Sequence, residues 1–584
     1  MGVSSGPRVA APTVTAQPPA ERTSILSPRL VMWLVAAVFA LLTVPPLITV
    51  VQRSLYTTDF IGEPGTFTLD NYTHLFTQGA SLRVVGNSVM LAGGATVFAL
   101  IVGGVLAWVV ERTDAAGRGV CRLAMLLSLA MPYVLYAMSW ILLLGPRGPV
   151  NQAAAHWFGL GQVVKPYSLP VMIFVEGMVS APLAFLLLAA VLRNMDPSLE
   201  ESAQVSGAGI GKTLIRVSAP LVTPGGVAVA MLIFVRALEA FEVPALVGLP
   251  GGVTVMTTKI YLGTQRQPPD YGGAGAYAVL LMIVVGVLLA LSARITRRGA
   301  AYATVSGRGF RPHRIELGRR RHIATALVWL YVLVGLVAPI GLLVWASLLP
   351  YYAAPGQIPT RLLTMHNYDS VLGQPALLGS ITNTLLIGVC TATVVCLLTA
   401  GAGWFVARTR LGGRWVLEQL GGIPLVIPGI IMGLGVSAFY LQVPIPVYGT
   451  IWIFVLAFVA RYLPYGMRYT GSGLVQIGQE LEEAAMMSGA KPGRTFLKIV
   501  MPLLMPSLAA AWIFVFLVAG KELSMSVLLA SPNTQVMAVS LFDLFNNGQI
   551  TQSAAFGVLW TLGRGACVAL LSVIARRARI EIQG

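Results

Sequence analysis

The chain has 584 residues, of which 56% are hydrophobic and only 10% charged, with a net charge of +17; its mean hydropathy is +0.78. Soluble domains carry about 25% charged residues, so this composition excludes a soluble globular protein and indicates a polytopic membrane protein. The positive balance does not indicate a nucleic-acid partner, because the arginines cluster in short stretches between apolar runs, as the positive-inside rule predicts for cytoplasmic loops.

Residues 1–28 are rich in Ser, Pro, Ala and Thr without apolar periodicity and read as a disordered cytoplasmic tail. The run from Leu30 to Val51 has no small-residue cleavage site after it and is expected to stay as a helix. A span needs about 20 apolar residues. The first half, 30–295, offers six, near 30–51, 84–110, 119–145, 168–192, 221–247 and 275–294, with its core over 84–294. A basic linker follows over 296–322. The second half, 323–577, offers six more, near 323–349, 381–407, 416–440, 447–469, 506–530 and 553–575, with its core over 379–576. The prediction is an all-α polytopic membrane protein with about twelve transmembrane helices in two six-helix halves. Nine arginines lie between Arg294 and Arg321, and Arg576, Arg577 and Arg579 close the chain, whereas the loops near 52–82, 351–380 and 531–552 carry very few cations. Both termini are therefore expected in the cytoplasm.

The halves repeat each other. Asn71-Tyr72 matches Asn367-Tyr368, Asn87-Ser88 matches Asn383-Thr384, and Trp108, Arg112 and Pro132 match Trp404, Arg408 and Pro428, all at a shift of 296. From Pro182 and Pro464 onward the shift is 282, so the first half carries 14 extra residues, placed in an outside loop near 146–167. An even number of spans per half gives both halves one orientation, facing each other across a pseudo-twofold axis along the membrane normal. A translocation path belongs at such an interface.

One polar loop is repeated without a gap. Leu199 to Pro224 aligns with Leu481 to Pro506, pairing Glu201 with Glu483, Ala203 with Ala485, Gly207 with Gly489 and Pro220 with Pro502. Asp196-Pro197 reads as a helix start, with Glu200 and Glu201 complementing the positive helix end. Gly207 and Gly489 stand where a left-handed C-terminal turn needs glycine. A second short helix is expected to end at Pro220 and Pro502 as the chain re-enters the membrane. The product is a rigid polar elbow between the fourth and fifth spans of each half, suited to docking a soluble partner; a mere connector would not need the same elbow twice.

Ser206 to Thr213 imitates a phosphate-binding loop, but Ser206 replaces its first glycine, a helix precedes it where a strand is required, and the second copy lacks the lysine. ATP hydrolysis must then come from elsewhere. Cys121, Cys390, Cys396 and Cys567 lie in or beside apolar runs with no metal spacing, and the five histidines are scattered, so neither a metal site nor a catalytic constellation is expected.

Charges inside spans cost about 2.5–3.5 kcal/mol each on insertion scales. Arg236, Glu239 and Glu242 fall in the fifth span, Lys521 and Glu522 in the matching region of the second half. At about 1.5 Å per residue, Arg236 lies roughly 24 Å beyond Pro220, toward the outer side. Glu239 and Glu242 are three apart and are expected on one helix face. These five are candidate pathway residues, in contact with substrate or gating it; the competing reading is an internal ion pair, Arg236 with Glu239, that only fixes packing. Glu176, Arg461 and Arg564 also fall inside spans and read mainly as packing or gating groups.

The paired loops and the six-plus-six layout resemble a fused permease of the binding-protein-dependent ABC importers, with the type 1 transmembrane fold, from about residue 30 onward. Glu483-Ala484-Ala485 and Gly489 fit the family's EAA loop; the first copy departs by Ser202 in place of an alanine. The resemblance implies that each loop is a coupling helix seated on an ATPase subunit. It further implies two ATPase subunits per chain holding the ATP and magnesium, no cofactor in this chain, an extracytoplasmic substrate-binding protein, and residence in the bacterial inner membrane. Glu201, Ala203, Gly207, Glu483, Ala485 and Gly489 take the coupling roles. Fused members look most like ferric iron permeases, and Phe241 to Pro250 resembles that type; aminoethylphosphonate, thiamine and polyamine importers are near relatives. Rival classes are a secondary transporter of the major facilitator type, also six plus six, and a membrane-embedded enzyme.

Overall fold

The computed structural model describes residues 27–58, 64–196, 198–300, 315–357 and 360–583. The expected tail, but for Ser27 and Pro28, and the middle of the linker, 301–314, lie outside these residues.

The first half runs α1 (Pro28–Ser54), a short β1 (Tyr56–Thr58) and β2 (Pro64–Phe67) pair, α2 (Gly79–Arg112), α3 (Arg118–Ala130), α4 (Tyr133–Leu144), α5 (Pro149–Phe158), α6 (Leu169–Arg193), α7 (Ser198–Val205), α8 (Ala219–Leu238), α9 (Met256–Gln265) and α10 (Tyr271–Ala300). The second runs α11 (Arg321–Tyr331), α12 (Ala338–Ser347), α13 (Pro375–Arg408), α14 (Arg414–Gly422), α15 (Gly429–Gln442), α16 (Ile451–Gln476), α17 (Glu480–Met487), α18 (Met501–Ala519), α19 (Met537–Asn546) and α20 (Ile550–Gln583). Among the described residues nine helices are long and apolar enough to cross a membrane, and three bent helix pairs raise the number to as many as twelve.

Two predicted spans are broken. Arg118–Ala130 meets Tyr133–Phe158 at 106°, and Arg414–Leu425 meets Gly429–Gln442 at 107°. Each break sits at a proline, Pro132 and Pro428, which removes a backbone donor and disfavours helix in the residue before it. The predicted fifth spans, 221–247 and 506–530, also need correction: the helices end at Leu238 and Ala519. In the first half a third bent pair, Pro244–Gly251 with Met256–Gln265, follows at 76°.

The expected helix stop at Pro220 and Pro502 is not there. The chain stays helical from Gly211 to Leu238 and from Pro492 to Ala519. Just before each proline the helix widens into a π turn, Leu214–Ser218 and Phe496–Val500, where Ala219 N–H reaches back to Leu214 O and Met501 N–H to Phe496 O. Widening one turn accommodates a residue that has no N–H and clashes with an ordinary helical carbonyl.

The sequence repeats are repeated contacts. Asn71 Nδ2 donates to the carbonyls of Ser54 and Tyr56, and Asn367 Nδ2 to those of Ser347 and Leu349. Tyr72 and Tyr368 hydroxyls lie 2.7 Å from Ser54 and Ser347 Oγ. Asn87 and Asn383 hold the carbonyls of Thr254 and Gln535, while Ser88 and Thr384 hydroxyls accept from Met256 and Met537 N–H. Those last bonds cap the helix that follows each break in the fifth-span region.

Each half is built on three mutually packed helices, α2, α6 and α8, or α13, α16 and α18. The halves then exchange their first spans. Helix α1 packs on α14 and α15, with Phe39 beside Gly421 and Pro46 against Gly435. Helices α11 and α12 pack on α3 and α4, where a π turn at Val332–Val337 leaves Gly335 O free to accept from Tyr136 OH at 3.0 Å. The extra first-half residues hold α5, pinned by buried Asn151: its Nδ2 donates to the carbonyls of Leu144, Gly145 and Val164, and its Oδ1 accepts from the N–H groups of Val163 and Val164.

Close packing of α2 on α6 depends on Gly103. A Cβ there would stand 2.7 Å from Ala181 O, Ala184 Cβ and Phe185 N, two of them backbone atoms that cannot turn aside. Gly103→Val is expected to cost about 1–3 kcal/mol by overpacking, seen as a lowered unfolding midpoint in detergent; an unchanged midpoint would mean the two helices can part there freely.

Candidate functional site

The repeated loops form matching elbows. Helix α7 closes with Gly207 at φ +82° and α17 with Gly489 at φ +83°. Ala208 N–H reaches back to Ala203 O at 2.9 Å and Ala490 N–H to Ala485 O at 3.0 Å, the bond that satisfies a helix-end carbonyl at a left-handed glycine. Glu201, Glu483, Gly207 and Gly489 are exposed, and Ala203 and Ala485 half-buried. Pro220 and Pro502 are at the second position of α8 and α18. Asp196 Oδ1 accepts from Ser198 N–H at 2.9 Å, as its helix-start pattern requires. Helix α7, not a strand, precedes the imitation phosphate loop.

The outward faces of the elbows are apolar at equivalent positions. Val205 and Met487 are each 90% exposed, and Ile215 and Leu497 are 72% and 65% exposed. Leu199 and Leu481 are exposed beside them. These large apolar side chains are flanked by the exposed charges of Glu201, Lys212 and Arg216 in one copy and of Glu483 and Arg494 in the other.

The intramembrane charges gather between the halves. Glu239 and Glu242 do not share a helix face, because α8 ends at Leu238 and Glu239 caps it. Glu239 is not paired with Arg236 either. Its carboxylate lies 3.1 Å from Arg461 on α16 of the other half. Arg461 also donates to Pro424 O at 2.9 Å and to Ile427 O. Both carbonyls lie at the break between α14 and α15, where Pro424 O also accepts from Ile427 N–H at 3.4 Å, and in a membrane interior carbonyls at a break must be satisfied from within the protein.

The first-half break is capped from the other half too. Lys521 Nζ donates to Leu129 O at 3.2 Å and stands 4.3 Å above the ring of Tyr133. A shift of 282 makes Lys521 the counterpart of Glu239, so matching positions carry opposite charges, and each engages the other half. Arg236 donates to Tyr133 OH at 3.1 Å. Glu522 accepts from Tyr462 OH at 3.3 Å and from Ser524 Oγ. Arg236 is solvent-accessible although Tyr133, Tyr465, Glu239 and Glu176 surround it. Buried Glu176 lies close enough to Arg236 and Glu242 to interact with both electrostatically. Arg564 stands apart, donating to Leu517 O within the second half at 2.8 Å.

The five candidate pathway residues are thus brought to one place, and sequence reasoning missed Tyr133 and the true partner of Glu239. The signal for both was the repeated Pro132 and Pro428: a proline in the middle of a span implies unpaired carbonyls and hence nearby donors. Among the described residues no three His, Cys, Asp or Glu side chains are grouped to hold a metal ion.

The chain is 25% identical over 521 residues to the ferric transport system permease protein FbpB of Actinobacillus pleuropneumoniae, covering 88% of this chain and 74% of that one. It is 22% identical over 497 residues to the Fe(3+)-transport system permease protein FbpB 2 of Haemophilus influenzae, covering 84% and 90%. Over 206 residues, 35% of this chain and 76% of the relative, it is 26% identical to PhnV of Salmonella paratyphi A, described as a 2-aminoethylphosphonate transport system permease. A solved bacterial ABC transporter involved in import of the acidic polysaccharide alginate superposes on 46% of this chain and 94% of its own, with TM-score 0.40 and 22% identity. The model of one family matches twice, over residues 95–301 and 399–579, once in each half, and the chain belongs to that family, the binding-protein-dependent transport system inner membrane components.

Proposed function

We propose that this chain is the whole transmembrane pathway of an ATP-driven importer, with both repeated loops in the cytoplasm and each seated on one ATPase subunit. The observation that carries this is the duplicated elbow, with its exposed apolar pairs Val205 and Met487, Ile215 and Leu497. The basic stretch from Arg294 to Arg321 supports the same cytoplasmic side. ATP binding draws the two ATPases together, the elbows follow, and the halves rock about their interface, exchanging access to the charges around Arg236. Glu239 with Arg461, and Lys521 with Leu129 O, hold that interface in the present conformation. An extracytoplasmic binding protein delivers the substrate to the opposite face.

The cargo we propose is ferric iron. The likeness to two ferric permeases over most of the chain supports this. A phosphonate is the second reading, supported by the PhnV likeness and by solvent-accessible Arg236. Uptake of radiolabelled ferric iron by cells, measured with ATP depleted and the proton gradient held, is expected to collapse. Uptake that persists without ATP would move the chain to the secondary transporters, and ATP-dependent uptake of aminoethylphosphonate alone would reassign the cargo.

A further inference from the structure

The glutamates that precede Glu201 and Glu483 face inward. Glu200 and Glu482 are 3% and 6% exposed, in contrast to their exposed neighbours. Glu200 lies 3.5 Å from Arg112 and accepts from Ser218 Oγ at 2.5 Å. Glu482 lies 3.0 Å from Arg408 Nε and accepts from Trp404 Nε1 at 3.0 Å. The Arg408 Nε approach is close but out of line for a hydrogen bond, so it is a charge contact.

Each arginine holds more than the glutamate. Arg112 is the last residue of α2 and donates to Leu192 O at 2.7 Å and Met195 O at 3.0 Å, at the end of α6. Arg408 is the last residue of α13 and donates to Leu474 O at 2.7 Å and to Ile477 O, at the end of α16. The pairs Arg112 and Arg408, Glu200 and Glu482, Leu192 and Leu474, Met195 and Ile477 are all equivalent under the repeat. One planar fork thus ties the second span, the fourth span and the coupling elbow in each half. A guanidinium is suited to this because it presents several donors in fixed directions, which an ammonium does not.

The connectivity says why this matters. On one side the elbow runs through a π turn directly into the fifth span, α8 or α18. On the other side only the linkers 194–197 and 477–479 join it to the fourth span. Without the clasp, a push on the elbow reaches the fifth span alone. With it, the second and fourth spans are carried along, and α16 bears Arg461, the inter-half contact.

We infer that Arg112 with Glu200, and Arg408 with Glu482, are positioning pairs that transmit movement of the coupling elbow to the second and fourth spans; the inference rests on the ATPase-docking reading above. The halves also differ in what stands beside the clasp. In the first, buried Glu111 also bridges Arg122 on α3 and Arg193 on α6, at 3.0 Å each. In the second half the counterparts are Ala407, Glu418 and Val475, which form no such bridge. The second half depends on its clasp more heavily.

The test uses the complex of this chain with its co-purified ATPase from native membranes. The four native cysteines are replaced by alanine, and spin labels are placed at exposed Asn194 and Val475, at the fourth-span ends of the two halves. The wild type is expected to shorten the distance between labels on ATP binding. Glu482→Gln is expected to abolish that shift while ATPase binding and hydrolysis persist, and Glu200→Gln to reduce it less. Arg408→Lys, which keeps the charge and loses the fork, is expected to behave like Glu482→Gln. A full shift in both Glu482→Gln and Arg408→Lys would overturn the inference. Failure of both variants to assemble with the ATPase would assign the pair to folding alone and overturn it as well. If the wild type itself brings down no ATPase, the docking reading fails first and the inference falls with it, an outcome recognisable from the control.

Discussion

Replacing Gly207 and Gly489 by proline will abolish recovery of the ATPase with this chain. At φ +82° and +83° both glycines occupy left-handed backbone, whereas the proline ring holds φ near −65°. Proline also removes the N–H that Gly489 donates to Met486 O at 2.9 Å. The elbow therefore cannot close, and Val205 and Met487 leave the positions in which they project. Alanine is a graded control: a left-handed residue with a Cβ costs about 1–2 kcal/mol, so Gly489→Ala is expected to weaken ATPase binding about tenfold, the equivalent of about 1.4 kcal/mol. A Cβ at either glycine would meet nothing within 4 Å, which confines the effect of alanine to the backbone. ATPase recovery unaltered by the double proline variant, in a chain that still inserts, would show that the elbows do not dock.

The second large effect is expected at the charged interface. Glu239→Gln leaves Arg461 with its two carbonyl acceptors but without its ion-pair partner, and for a half-buried pair the cost falls between about 1 kcal/mol for an exposed pair and about 3–5 kcal/mol for a fully buried one. That loss falls on the conformation in which the halves are joined here, so the opposite conformation becomes easier to reach. ATP hydrolysis without binding protein is expected to rise about tenfold and substrate uptake to fall about tenfold, each corresponding to about 1.4 kcal/mol of the loss. Exchanging the charges, Glu239→Arg with Arg461→Glu, is expected to recover part of the uptake, because the inter-half attraction returns while the carbonyl caps do not. Unchanged uptake in Glu239→Gln and Glu242→Gln together would remove these groups from the pathway.

Much of this architecture is legible in the sequence because the chain states it twice. Apolar length marks the spans, and the repeated Asn71-Tyr72 and Asn367-Tyr368 turn out to make the same hydrogen bonds in both halves. Gly207 and Gly489 could be placed because positive φ has one common solution. What failed was any inference needing three dimensions. Pro220 was expected to stop a helix, since sequence does not reveal a π turn that absorbs it. Glu239 was offered Arg236, three residues away, as a partner, whereas its real partner is 222 residues away in the other half. Glu200 and Glu201 are indistinguishable by type; only packing against Arg112 decides which one is buried.

A chain that carries both docking elbows and both halves of the pathway binds its ATPases in a fixed ratio. Native mass measurement of the complex, released gently from its own membranes, tests it most directly. One copy of this chain with two copies of a nucleotide-hydrolysing subunit is expected, both subunits being lost in the double proline variant. A chain that runs alone, or as a dimer of itself without any ATPase, while uptake follows the proton gradient, would contradict it.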